Sequence, residues 1–330
     1  MKRQFSRLAC VVAMAALGTA PVTASAADVV IKFATESSGD HINIALAEAM
    51  KKSVEGALPG KVEFQIFPGA QLGNQTAVIA GLQQGTHMMS VQASPMASLV
   101  PAFGVFEAPF LFGTRAEVMK VVDGPLGERL KKEAAAKGIE VLAIGELGFR
   151  QISNNVRPIV KPEDLDGVKL RTPGNPFRLK MFQTFGANPT PMSFSEVYVA
   201  LRQGVIDGQE NPLGSIWGAK FHEVQKFVSM SNHVFTPNAV VVSKLHWDSW
   251  PADVQKAVQA AADEAAELSF RLGEQRDTTL LDRMKEANPE LKVNEIDSKA
   301  FRAKAAPLYD EVKKNSGEDV WKMVQDSMGM

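Results

Sequence analysis

The stretch DGVKLRTPGNPFRLKMFQTFGANPTPMSFSEVYVALRQGVIDGQENP, residues 166–212, decides how the chain is read. Asp166-Gly167 is a turn signal, and Val168, Leu170 and Thr172 alternate with Lys169 and Arg171 as in a short strand that Pro173 ends. Arg171 therefore stands at the carboxyl end of a strand, where open α/β sheets place their ligand crevices. A guanidinium there presents a planar fork of donors that fits a carboxylate bidentately, which a lysine ammonium cannot do. Asn175-Pro176 caps and opens a helix that Gly186 stops, and Asn188 to Met192 is extended. Ser193 with Glu196 forms a capping box for a second helix, closed by Gly204. Asn211 precedes Pro212, which holds it in β or polyproline backbone, and its amide is expected to project from an irregular segment.

Outward from this stretch the pattern is that of two α/β lobes. Val29 to Ala34 and Val62 to Phe67 read as strands, each followed by a turn and an amphipathic helix, and Met88 to Val91 as a third strand. This β-α-β-α opening predicts a parallel sheet. The apolar run 99–112 contains Pro101 and Pro109, so buried coil with a short strand is expected there. Arg115 to Lys137 is helical, with a break at Gly124-Pro125. Ile139 to Ile144 is a strand, Gly145 to Arg150 the first crossing between lobes, and Asn238 to Ser243 the return. Ala252 to Ala287 carries one long apolar stripe; at about 1.5 Å per residue it spans roughly 54 Å, enough to brace both lobes. Residues 298–330 read as two amphipathic helices.

Residues 1–26 have the pattern of a cleaved secretory signal: basic Lys2, Arg3 and Arg7, an apolar run, and Ala24-Ser25-Ala26. Cys10, the only cysteine, precedes most of the apolar run and is not expected to carry a lipid. Cleavage before Ala27 would leave a chain without cysteine, stabilised by its cores and not by disulfides, and soluble in the periplasm. With the three basic residues removed, 33 basic side chains face 37 acidic ones, a net charge of about −4. That balance offers no field for nucleic acid.

The block PTPMSFSEVYVALRQGVIDGQENP (189–212), continued by KFHEVQKFVSMSNH (220–233), closely resembles the solute-binding proteins of tripartite ATP-independent periplasmic (TRAP) transporters. The resemblance implies an α/β fold of the two-lobed periplasmic binding protein type (type II-like), with mixed sheets flanked by helices, hinge crossings and a long bracing helix. Residues 27–148 with 236–273 would form the first lobe, and 149–235 with 274–330 the second. It also implies that the arginine at Arg171 pairs with a ligand carboxylate, that Asn211 assists it, that Arg150 faces the cleft, and that Phe194 lies over the ligand. Sialic-acid binders of the family carry an acidic side chain where this chain reads Gln92-Ala93-Ser94, which argues against that substrate. The partner implied is a TRAP membrane permease, the ligand a small organic acid, either a C4-dicarboxylate or a sugar acid, and the protein a monomer that needs no cofactor.

The other candidates come from position. His41 and Asp40 follow the first strand, Asn74 follows Gly73, and Gln92 and Ser94 end the third strand; all would face the cleft from the first lobe, and Gln209 would neighbour Asn211 from the second. Each residue type is more often a cap or turn residue. A metal site would require Glu36, Asp40 and His41 to converge, and none is expected. No GxSxG, HExxH, Walker or GxGxxG motif is present, which counts against a secreted enzyme. A sensory module that presents the same closed form to a receptor is the remaining alternative.

Overall fold

The computed structural model describes residues 27–330, so the expected signal at 1–26 lies outside the described residues. The chain opens with β1 (Val29–Ala34), α1 (Ile42–Ala57), β2 (Val62–Phe67), α2 (Gln75–Gln84) and β3 (Met89–Gln92). β1 lies between β2 and β3 and is parallel to both. His41 caps α1 by accepting the Asn43 N–H, and Asn74 caps α2 through the Ala77 N–H. The run 99–112, expected as buried coil with a short strand, holds no strand: α3 (Met96–Leu99) ends at its first residue, a 3₁₀ helix spans Pro101–Glu107, and 108–112 is mostly buried irregular chain. Pro101 fits the first position of that helix, where no N–H is needed, and Phe103, Val105 and Phe106 are buried in the core.

α4 (Arg115–Val122) and α5 (Pro125–Ala135) are separate because Pro125 starts the second of them. Then follow β4 (Ile139–Asn154), β5 (Lys169–Thr172), α6 (Pro176–Phe185), β6 (Asn188–Pro191), α7 (Val197–Arg202), β7 (Gly208–Pro212) and α8 (Leu213–Gly218). The chain closes with β8 (Phe227–Met230), β9 (Phe235–Ser243), α9 (Lys244–Ser249), α10 (Ala252–Ala287), β10 (Lys292–Glu295), α11 (Ser298–Ser316) and α12 (Glu318–Met328). Asn211 thus lies in a strand and not in an irregular segment. β7 pairs antiparallel with Arg150–Asn154, and Pro212 is tolerated because it ends the strand.

β4 belongs to both lobes. Its Ile139–Phe149 part completes the first sheet, in the order β2-β1-β3-β9-β4. Its Arg150–Asn154 part opens the second, in which β7, β5 and β6 follow on one side and β8 and β10 on the other. The helix that spans 36 residues, α10, buries Val254, Val258 and Ala265 in the first lobe and Leu280 and Met284 in the second. α11 packs Phe301 against Phe185 of α6. α12 buries Val320 and Val324 in the same core as Val118, Leu126 and Leu130. It therefore returns to the first lobe, although its place in the sequence groups it with the second.

Candidate functional site

The cleft lies where β5, β7 and the carboxyl ends of β1 and β3 meet. Arg171, next to last in β5, is 3% exposed, and its Nε and Nη2 both donate to the Met192 carbonyl, at 2.9 and 2.6 Å. That carbonyl fixes the plane of the guanidinium and leaves Nη1 directed elsewhere. Among the described residues no carboxylate forms an ion pair with Arg171. Burial lowers its pKa to about 10, with Glu210 acting in the opposite direction, so it is still charged at neutral pH. The Phe194 ring lies 6.0 Å from the guanidinium carbon and meets the His41 ring edge-on at 5.6 Å.

The other two buried arginines are already neutralised. Arg150 donates through Nε to Glu210 Oε2 at 2.5 Å, and through Nη2 to the Glu210 carbonyl at 2.6 Å and to Asn211 Oδ1 at 2.8 Å. Arg178, fully buried, bridges Glu107 at 2.6 Å and Glu210 at 2.7 Å. Burial works against the Glu210 charge, yet the Arg150 and Arg178 guanidinia hold its carboxyl well below the usual range. His233 also approaches Glu210, at 3.1 Å, but burial lowers its pKa to about 4 and it stays neutral. Two guanidinia thus face two carboxylates, while Arg171 has no carboxylate in direct contact among the described residues and feels Glu210 and Glu36 only at longer range. Arg178 and Glu107 escaped the sequence reading. The available signal was an arginine on an apolar stripe, because Arg178 shares helical spacing with Met181, Phe182 and Phe185.

From the first lobe, burial lowers the pKa of His41 to about 3, assisted by the Arg276 charge, so its ring is neutral. Its Nδ1 accepts the Asn43 N–H at 3.1 Å, which leaves the proton on Nε2. Nε2 therefore donates to Ser215 Oγ at 3.0 Å and frees the Ser215 hydroxyl hydrogen for another acceptor. Arg150, Arg171, Asn211, Phe194, His41 and Ser94 line one cavity of about 400 Å³, part of it open to solvent. Ser37 and Asn43, the ends of the polar loop after β1, line it too, as do Gln75 and Ser215, which were not singled out from the sequence. The Ser94 hydroxyl is buried without a protein partner. An adjoining cavity shares Arg171 and Phe194 and adds Glu36, Asn74 and Ser193.

Three expected contacts lie elsewhere. Asp40 turns outward to Arg276 Nη2 at 2.8 Å and Trp217 Nε1 at 3.0 Å. Gln92, fully buried, donates to Ser90 Oγ at 3.0 Å beneath the cavity and does not line it. Gln209 is buried behind the wall, where it accepts from Asn211 Nδ2 at 2.6 Å and donates to Ser153 at 2.8 Å. It sets the orientation of Asn211, and through Arg150 the Asn211 oxygen is engaged as well. Among the described residues no group of three or more metal-ligating side chains gathers, and no helix is long and apolar enough to cross a membrane.

Residues 33–315 match the family described as DctP, bacterial extracellular solute-binding protein, family 7. The chain belongs to that family. The 2,3-diketo-L-gulonate-binding periplasmic protein YiaO of Escherichia coli K12 is 36% identical over 84% of this chain and 85% of its own length. Among solved structures, the sugar acid binding protein DctPAm of Advenella mimigardefordensis in complex with galactonate superposes with a TM-score of 0.87, at 33% identity, covering 91% of this chain and 97% of that one. A TRAP periplasmic solute-binding protein of Sulfurospirillum deleyianum with bound succinate superposes at 0.86, with 33% identity, covering 91% and 99%. This chain is a solute-binding protein of the TRAP type, and its family is periplasmic and serves transport, not catalysis.

Proposed function

We propose that this chain captures a small organic acid by lobe closure around a pair between Arg171 and the ligand carboxylate, and delivers it to a TRAP membrane permease. One observation carries the reading: Arg171 is a buried guanidinium in a cavity wall without a carboxylate of its own, while the neighbouring arginines are balanced by Glu107 and Glu210. A ligand carboxylate supplies the missing charge. Asn211 and Arg150 complete the second-lobe wall of the cavity.

A sugar acid fits better than a C4-dicarboxylate. Two cleft arginines would suit two carboxylates, but Arg150 is paired already, so among the described residues of the cleft only Arg171 lacks a carboxylate in contact. The first-lobe polar lining, Ser37, His41, Asn43, Gln75 and Ser94, together with Ser215, is neutral and rich in groups that bond hydroxyls. The sugar acids of the E. coli and Advenella relatives favour the same choice, against the succinate of the Sulfurospirillum relative. The test is a thermal-shift screen of residues 27–330 against aldonates, uronates, 2-oxo acids, dicarboxylates and sulfonates. An acid at a hundredfold excess over its Kd adds about 2.7 kcal/mol, a rise of a few degrees in Tm for lobes of this size. A sugar acid is expected to give the largest rise, and R171A to abolish it. An equal rise in R171A overturns the anchor.

A further inference from the structure

We propose that Glu36 restricts the site to ligands bearing a single negative charge; this inference rests on the acid-binding reading above. Glu36 follows β1, is 7% exposed, and lines the cavity that adjoins the first and shares Arg171 with it. Its Oε1 accepts the Ser195 N–H and hydroxyl at 3.0 and 3.1 Å, across the cleft. Its Oε2 accepts the backbone N–H and the side-chain amide of Gln75, both at 3.4 Å. None of these four donors carries a charge, and among the described residues no cation forms an ion pair with Glu36. The same bonds occupy most of the acceptor capacity of the carboxylate. Glu36 therefore acts on a ligand chiefly as a fixed negative charge.

The remaining polar groups of that cavity, Asn74, Gln75, Thr76 and Ser193, are neutral. An acid held by Arg171 meets hydroxyl-bonding groups in either direction and, among the described residues lining the two cavities, no second free cation. A ligand with a carboxylate at each end would bring its far charge to a partly desolvated space that already holds an anion. Like charge placed in this way is how binding sites reject wrong partners.

The experiment measures Kd by calorimetry for galactonate and galactarate, which differ only in whether the last carbon is an alcohol or a carboxylate. Wild-type protein is expected to favour galactonate by at least tenfold, and E36Q to narrow that ratio at least fivefold by strengthening galactarate. S195A removes one bond across the cleft but keeps the charge, so it should weaken both ligands equally. T76K, at an exposed position of the same cavity, should also favour galactarate, and it serves where E36Q fails to fold. A ratio unchanged in E36Q, or in T76K where that variant stands in, overturns the role of Glu36 while the anchor at Arg171 stands. Wild-type protein that binds no acid of the screening panel overturns the anchor itself.

Discussion

Arg171 and Arg178 are seven positions apart and both buried, and they serve opposite ends. Arg178 reaches Glu107 and Glu210, so its removal leaves carboxylates in the interior short of a counter-charge. Loss of one partner from such a group costs about 3–5 kcal/mol. Arg171 has only a carbonyl to donate to, and its own burial is an unrecovered desolvation penalty until a ligand arrives. In ligand-free protein R178A should therefore lose about 3–5 kcal/mol in chemical denaturation, whereas R171A should keep wild-type stability or exceed it. Equal losses in the two variants would make Arg171 an ordinary structural cation. Function at this site is bound up with a local deficit of stability, and only the ion-pair inventory of the folded chain reveals it.

At the scale of elements, the join between β4 and α10 is a second place where charge is held at a cost. Glu146 lies beside a register shift in β4, and its carboxylate takes two bonds from Arg115, at 2.7 and 2.6 Å. Arg115 also holds Asp277 of α10, at 2.6 Å. Gly273 is required there, because a Cβ would sit 2.0 Å from Glu146 Oε1. Burial outweighs the Arg115 charge and raises the Glu146 pKa from 4.5 to about 7. The folded state therefore binds a proton between pH 4.5 and 7 that the unfolded chain has released, and the stability this confers below 4.5 is lost as pH rises through 7. His41 and His233 act in the other direction, losing stability as pH falls below 6.5, but E146Q shares them with wild type. The difference in Tm between E146Q and wild type should therefore move in favour of the variant from pH 4.5 to 7 and be flat below; a constant difference would mean that Glu146 is ionised throughout. Individual helices, caps and strand ends were legible from spacing alone. The stripe of α10, the caps at Asn74, Asn175 and Gly186, and Arg171 at its strand end are all local patterns. Arg178 with Glu107, or Ser215 beneath His41, joins segments far apart in sequence, and no local pattern specifies such a meeting.

At the scale of the molecule, β4 and α10 run through both lobes while side chains reach across the cleft. Asn74 Nδ2 donates to Ser193 Oγ at 2.9 Å, Asn175 Nδ2 to the Ser94 carbonyl at 3.0 Å, and Glu36 holds Ser195. Continuous elements resist sliding but tolerate bending, so closure is proposed to occur about the β4 and β9 crossings. The proposed lobe boundaries fall near 148, 235 and 273, with α12 taken back into the first lobe as its packing requires. Ala93 lines the first cavity beside Ser94, and a large ring there would fill the space that the two lobes share. Because that space is a cleft and not a core, A93W should fold with a ligand-free Tm near wild type and a larger radius of gyration in solution scattering. Its acid-dependent thermal shift should vanish, and uptake through the permease should fall with it. Uptake at the wild-type rate by a variant that stays open would separate delivery from closure and overturn the hinge mechanism, even with the anchor at Arg171 intact.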